Sequence, residues 1–186
     1  MINWIRKHKG ILLLAAVFLS LNLIFVFVSP DQIVSHIGVQ NTYITIFVIA
    51  TFGGLNSVTG GVLYVSIVAF AAGGASPWLL GFIGGLGIAI GNFFIFYLFR
   101  YTSKTLSDEM QEKVTKVRHK IERLPQPAQY TLIYLYLGFS PFPDDILLFL
   151  LAVLRYRLVQ VIPLIIIGAI TIATLTAFLG ENLPFL

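Results

Sequence analysis

The sequence predicts an all-α polytopic membrane protein with a single membrane domain over residues 1–186. Three transmembrane helices and two opposed re-entrant helical hairpins form an inverted repeat. Three observations predict this. First, 58% of the residues are apolar and 11% charged, against about 45–50% and about 25% in an ordinary soluble domain. Second, charged side chains leave residues 10–30, 32–99, 124–143 and 158–180 entirely uncharged, and a helical crossing needs about 20 apolar residues. Third, polar helix-breaking clusters cut the stretches that begin near residues 43 and 126 into arms too short to cross. This composition excludes a soluble enzyme with a surface active site. The lack of cysteine excludes a disulfide framework, a thiol nucleophile and a Cys-ligated metal. The net charge of +4 is no sign of nucleic-acid binding, because seven of the twelve basic residues lie between Arg100 and Arg123, as in a cytoplasmic loop.

Arg6, Lys7 and Lys9 precede the apolar run 11–28, which stops at Ser29, Pro30 and Asp31. A cleaved signal peptide and a retained helix both begin this way. The length of the run and the absence of a small-x-small cleavage pattern favour a retained transmembrane helix over 11–28, with its N-terminus cytoplasmic. Residues 30–42 then lie outside. Because Arg100 heads a basic, cytoplasmic loop, an odd number of crossings must fall between residues 43 and 98. Three crossings need about 60 residues plus turns, and only 56 are present. Residues 43–52 and 62–72 flank the breaker 53–61, and a second break covers 73–77; together they predict a re-entrant hairpin over 43–75, entering from outside. Residues 78–99 predict the second transmembrane helix. Its small-xxx-small pairs, Gly81 with Gly85 and Gly87 with Gly91, permit close helix packing, and Asn92 is placed to hydrogen-bond between helices.

Residues 103–124 predict a cytoplasmic amphipathic helix. Ser107 is a candidate N-cap, Met110, Val114, Val117, Ile121 and Leu124 recur at helical spacing, and Pro125 ends the run. Its apolar stripe packs on the headgroup boundary or the transmembrane body, with Lys113, Lys116, Arg118 and Lys120 toward water and lipid phosphates. A second hairpin over 126–157 follows, with arms 126–139 and 146–154 around a polar turn, and it returns to the cytoplasmic side at Arg155 and Arg157. Residues 158–180 form the last transmembrane helix, which leaves the C-terminus external. Each half is thus a hairpin followed by one span, in opposite senses. Repeats of this kind place a transport site near the midplane, where the broken segments meet.

Asp144 and Asp145 are the acidic residues inside an apolar stretch, and carboxylates at membrane depth are costly enough to suggest function. The competing reading is that either one caps the helix starting at Ile146. Two adjacent carboxylates in a low-dielectric pocket repel, so one of them holds a proton in a range suited to proton coupling. Pro141 and Pro143 break the helix by removing backbone donors, beside Ser140. Asn56, Ser57 and Thr59 at the opposing turn are neutral hydrogen-bonding groups that fit a polar cavity better than an ion cage. Arg155 and Arg157 lie about 15 Å further along a helix than Asp145. They either anchor the interface by snorkelling or hold a lipid phosphate bidentately. His8, His36 and His119 have no partner at ligand spacing, so no metal and no cofactor is expected. No Ser/His/Asp arrangement, phosphate loop or HExxH occurs, so an enzyme is not expected.

The pattern over residues 43–180 resembles the DedA superfamily, also called the VTT or SNARE-associated Golgi protein family. In that family two re-entrant hairpins face one another, and the helix after the first carries a glycine-rich run ending in an acidic, an aromatic and a basic residue. Here the run reads Gly87, Ile88, Ala89, Ile90, Gly91, Asn92, then Phe96 and Arg100. Asn92 stands where many members carry an acid, and Phe99 where they carry Gly. The second turn, from Gly138 through Pro141 and Pro143 to Asp145, is similar to the family's Pro-containing motif but lacks its arginines; residues 56–59 lack the acid found at the first turn. The chain is thus similar to a divergent member. The resemblance implies lipid transport between bilayer leaflets, of phospholipid or polyprenyl phosphate, by a scramblase or flippase. Two other classes stand beside it: a proton-coupled secondary transporter of ions or small solutes, and a non-transporting membrane scaffold acting through residues 107–124. The partners expected are membrane lipids and, for so small a body, a second copy in a homodimer, in a prokaryotic plasma (inner) membrane, with no nucleic acid.

Overall fold

The structure, a computed structural model, describes residues 42–53, 57–103, 114–116, 121, 123–140 and 142–182, with 57–59 described in backbone only. The predicted transmembrane helix 11–28 and most of the amphipathic segment 103–124 lie outside the described residues. Among the described residues there are six α-helices of ten residues or more and no strand: α1 (Thr42–Gly53), α2 (Ser57–Ala72), α3 (Pro77–Thr102), α4 (Gln126–Phe139), α5 (Asp144–Val153) and α6 (Leu158–Glu181). Two of them, α3 and α6, are long and apolar enough to cross a bilayer. Their 26 and 24 residues extend about 39 and 36 Å, against a hydrocarbon core of about 30 Å. The other four have 10 to 16 residues and reach only about 15–24 Å.

Local chemistry sets the boundaries. Pro77 opens α3, where its missing N–H and fixed φ cost nothing. α2 ends at Gly74, whose φ is 89°; there Ala75 N–H donates to the Phe70 carbonyl at 3.1 Å and Gly74 N–H to the Ala71 carbonyl at 3.0 Å. That pair of bonds is a Schellman closure, which needs one left-handed residue. α5 ends the same way. Tyr156 N–H reaches the Leu151 carbonyl and Arg155 N–H the Ala152 carbonyl, each at 3.1 Å, with Arg155 at φ 60° in the place of Gly74. The first turn is shorter than its glycines predict. The breaker expected over 53–61 shrinks to 54–56, and Gly60 and Gly61 lie within α2. A methyl group at either would meet nothing within 4 Å, so these glycines leave space beside a continuous helix.

The remaining glycines set the packing. α3 and α6 cross where a Cβ on Gly85 would lie 2.5 Å from Ile170 Cα, and one on Gly81 2.5 Å from Thr174 Cα. Gly87 faces α1, with Ala50 Cβ 2.7 Å from the position of its absent Cβ; Gly168 faces Leu137 of α4 at 2.5 Å and Gly180 faces Val68 of α2 at 2.7 Å. Gly87 therefore does not share the face that Gly81 and Gly85 turn toward α6: it receives α1. The short helices divide in a repeated way. α1 packs on α3 and α2 on α6, while α4 packs on α6 and α5 on α3. In each half the first short helix rests on its own long helix and the second on that of the other half.

Both pairs of short helices turn in the interior. At one end of the body, Ser76 N–H donates to the Tyr43 hydroxyl at 3.1 Å, and the Trp78 and Phe178 rings meet edge to face at 5.1 Å. At the opposite end the Arg100 guanidinium donates to the Tyr156 carbonyl, and the Tyr156 hydroxyl to Gln129. The start of α1 and the end of α2 thus lie at the first end, and the start of α4 and the end of α5 at the second. Leu80, Ile88 and Phe96 of α3 and Val161, Ala173 and Ala177 of α6 are fully or nearly fully buried. Val159, Val65, Trp78 and Leu179 point outward, between 67% and 82% exposed.

The crossing predicts the outcome of two substitutions. Gly85→Leu has backbone, not a movable side-chain end, in its way; it should lower unfolding stability by about 3 kcal/mol or more. Gly60→Ala enters open space within a helix and should be neutral or stabilising by up to about 1 kcal/mol. Thermal unfolding of the purified variants in detergent measures both.

Candidate functional site

The turns of the two short-helix pairs open on one cavity of about 430 Å³. The first pair contributes Gly53, Gly60, Gly61 and Tyr64; the second contributes Ser140, Phe142, Pro143, Asp144 and Asp145. Ile88 and Asn92, near the middle of α3, and Ile172 and Thr176, in the second half of α6, close its sides. The cavity forms because α1 and α5, at about 18 and 15 Å, stop roughly halfway along the body, and because Gly60 and Gly61 carry no side chain to fill it.

One polar contact organises the second turn. Asn92, 2% exposed, donates from Nδ2 to Asp144 Oδ2 at 3.0 Å. That bond joins the middle of α3 to the first residue of α5. Asp144 and Asp145 both occupy the first turn of α5, after the N-cap Pro143. There they set two carboxyl groups at the positive end of the helix dipole. The turn is pinned from both sides: Phe142 N–H donates to Ser140 Oγ at 3.1 Å, and the Tyr136 hydroxyl donates to the Pro143 carbonyl at 3.1 Å. At the wall, the Thr176 hydroxyl bonds the Ile172 carbonyl of its own helix at 2.8 Å, and its oxygen can still accept. The cavity thus holds a carboxylate pair, one buried amide and a few hydroxyls in an otherwise apolar wall.

The structure brings Ser140, Pro143, Asp144, Asp145 and Asn92 together. Pro141 and Asn56 lie outside the described residues, and Ser57 and Thr59 are placed in backbone at the start of α2. Arg155 and Arg157 do not join this cavity. They line a second one, of about 410 Å³, at the far end of α5 with Gln126, Gln129, Tyr156 and Gln160. The aspartates and the arginines, both candidate site residues, thus line two cavities separated by the length of α5. Sequence reasoning missed Tyr64 and Thr176, although a tyrosine in an apolar arm and hydroxyls in an apolar span were signals to follow. It also missed the role of Gly60 and Gly61, which looked like helix breakers.

Comparison of the chain with family models, curated proteins and solved structures finds no match.

The Asn92–Asp144 contact makes a signed prediction. Asn92→Leu leaves a half-buried carboxylate without its donor and should cost about 1–3 kcal/mol. Asn92→Asp sets carboxylate against carboxylate. Its deficit relative to the unmodified protein should be largest near pH 8 and shrink toward pH 5, where one protonated oxygen can donate to the other. Thermal unfolding at the two pH values reads the sign, and a deficit that grows on acidification contradicts it.

Proposed function

We propose that the protein is integral to a membrane and moves lipids, phospholipid or polyprenyl phosphate, between bilayer leaflets. In this reading α3 and α6 span the bilayer beside the helix predicted over 11–28, and α1–α2 and α4–α5 are re-entrant hairpins entering from opposite faces. The observation that carries it is the shared cavity, where turns approaching from opposite ends meet midway along the long helices. Moving a polar headgroup across about 30 Å of hydrocarbon is opposed by desolvation. A central polar cavity divides that distance into two short apolar stretches, each no longer than one arm of a hairpin. Outward-facing Val65, Trp78, Val159 and Leu179 suit contact with lipid tails, since a soluble monomer rarely leaves so much apolar side chain in water.

Hairpin-then-span order, the glycine-rich α3 and the placement of Asn92 support assignment to the DedA-like class as a divergent member. A proton-coupled secondary transporter is the second reading, favoured by the carboxylate pair in the cavity.

Reconstitution separates the two. Liposomes containing the protein should lose inner-leaflet fluorescent lipid to dithionite at least tenfold faster than empty liposomes. Gly60→Leu with Gly61→Leu, at two lining positions where an added Cβ meets nothing within 4 Å, should remove most of that rate. A rate equal to empty liposomes with both anionic and zwitterionic lipids overturns the lipid reading. Solute flux driven by a pH gradient and abolished by Asp144→Asn with Asp145→Asn supports the transporter instead.

The topology has its own measurement. The chain has no cysteine, so single Thr115→Cys, Arg157→Cys and Asn182→Cys variants report sidedness cleanly. The first two should label from the cytoplasm and the third from outside. Opposite labelling of 115 and 157 removes the opposed hairpins.

A further inference from the structure

The second cavity, of about 410 Å³, lies where the end of α5, the start of α6 and the start of α4 come together. Most of its polar wall is committed. Gln129 Nε2 donates to the carbonyls of Ile121 at 3.1 Å and Leu124 at 2.9 Å, and its oxygen accepts from the Tyr156 hydroxyl. Gln160 Oε1 accepts from Arg157 N–H at 3.4 Å, Gln126 Nε2 donates to the Tyr130 hydroxyl at 3.1 Å, and the Arg100 guanidinium is held by the Tyr156 carbonyl. What remains is the charge of Arg155 and Arg157. Both are exposed, and among the described residues neither guanidinium has a carboxylate partner.

Arg155 carries a second mark. It occupies the left-handed position of the α5 closure at φ 60°, a conformation that costs a residue with a Cβ more than glycine. At the matching closure of α2 the chain uses glycine, Gly74 at φ 89°, within the uncharged link Gly73, Gly74, Ala75, Ser76. The link that follows α5 reads Leu154, Arg155, Tyr156, Arg157. The same backbone is built twice, and only the copy beside the polar cavity takes arginine where glycine is easier. The fold alone gives no reason for that choice; a ligand for the guanidinium does.

We propose that Arg155 and Arg157 bind the phosphate of an anionic lipid headgroup in this cavity. Planar guanidinium groups match phosphate oxygens bidentately, the positive end of the α6 dipole adds to the field at Arg157, and Leu154 and Ile121 in the lining offer apolar surface for the start of an acyl chain. The site lies about 15 Å, the length of α5, from Asp144. It goes beyond the lipid-path reading, because binding is measured without transport: loss of binding leaves the path reading intact, and loss of transport leaves this site intact.

The test titrates the full-length protein in detergent with dioctanoyl phosphatidic acid, dioctanoyl phosphatidylcholine and inorganic phosphate, reading calorimetric binding and thermal unfolding together. Phosphatidic acid should bind at least tenfold more tightly than phosphatidylcholine, and Arg157→Gln should weaken it at least tenfold. Arg155→Gly is the decisive variant. It relieves the left-handed backbone, so its unfolding temperature without lipid should equal or exceed that of the unmodified protein while phosphatidic acid binding falls at least tenfold. Unchanged binding in Arg155→Gly and Arg157→Gln overturns the site. A fall in unfolding temperature for Arg155→Gly with binding retained assigns the arginine a structural role and overturns it too. Inorganic phosphate binding as tightly as phosphatidic acid overturns the lipid assignment.

Discussion

Everything else in this body hangs on the close crossing of α3 and α6. Gly81 and Gly85 let the Ile170 and Thr174 backbone come so near that an added Cβ would lie 2.5 Å from it, the close approach that small residues permit between helices. The crossing fixes one distance, and four short helices are then seated by it, each against a long helix. Gly87, Gly168 and Gly180 repeat the device at the contacts with α1, α4 and α2. A larger residue at the crossing would therefore disturb every helix that uses α3 or α6 as a floor.

The central cavity is a consequence of the same economy. Helices of 10 and 12 residues cannot traverse the length of α3, so their turns must end inside, where unsatisfied backbone is expensive. The second turn answers that cost locally, with Ser140, Tyr136 and Asn92 each supplying a bond to it or to Asp144. Polar groups gather at this depth because the chain turns there, and a polar interior is what a headgroup path needs. Structural necessity and proposed function thus call on the same residues.

Much of this was legible in the sequence. Arm lengths, breakers and the placement of charge marked out the two short-helix pairs and the two long helices within a few residues, because each signal reflects a local rule: proline or glycine ends a helix, and uncharged length limits how far it reaches. The pairing of Asp144 with Asn92 was half visible, since a buried amide and a buried carboxylate both need partners. The separation of Arg155 and Arg157 from Asp144 follows from helix length alone, about 15 Å for the ten residues of α5. Gly60 and Gly61 were misread since glycine breaks helices in water, whereas inside a packed apolar body it also serves to leave space. Arg155 in a left-handed conformation had no sequence signal at all; only the backbone reveals it.

The exchange of arms between halves also governs how the chain can be made. α2 finds its floor on α6, the last of these six helices in chain order. Synthesis at about 5–20 residues per second therefore leaves α2 on the order of ten seconds without the surface it packs on, with Val68 waiting for Gly180. During that interval the first hairpin has α1 and α3 but lacks one wall. The apolar face that α2 turns toward α6 therefore stays uncovered until Gly180 has been made.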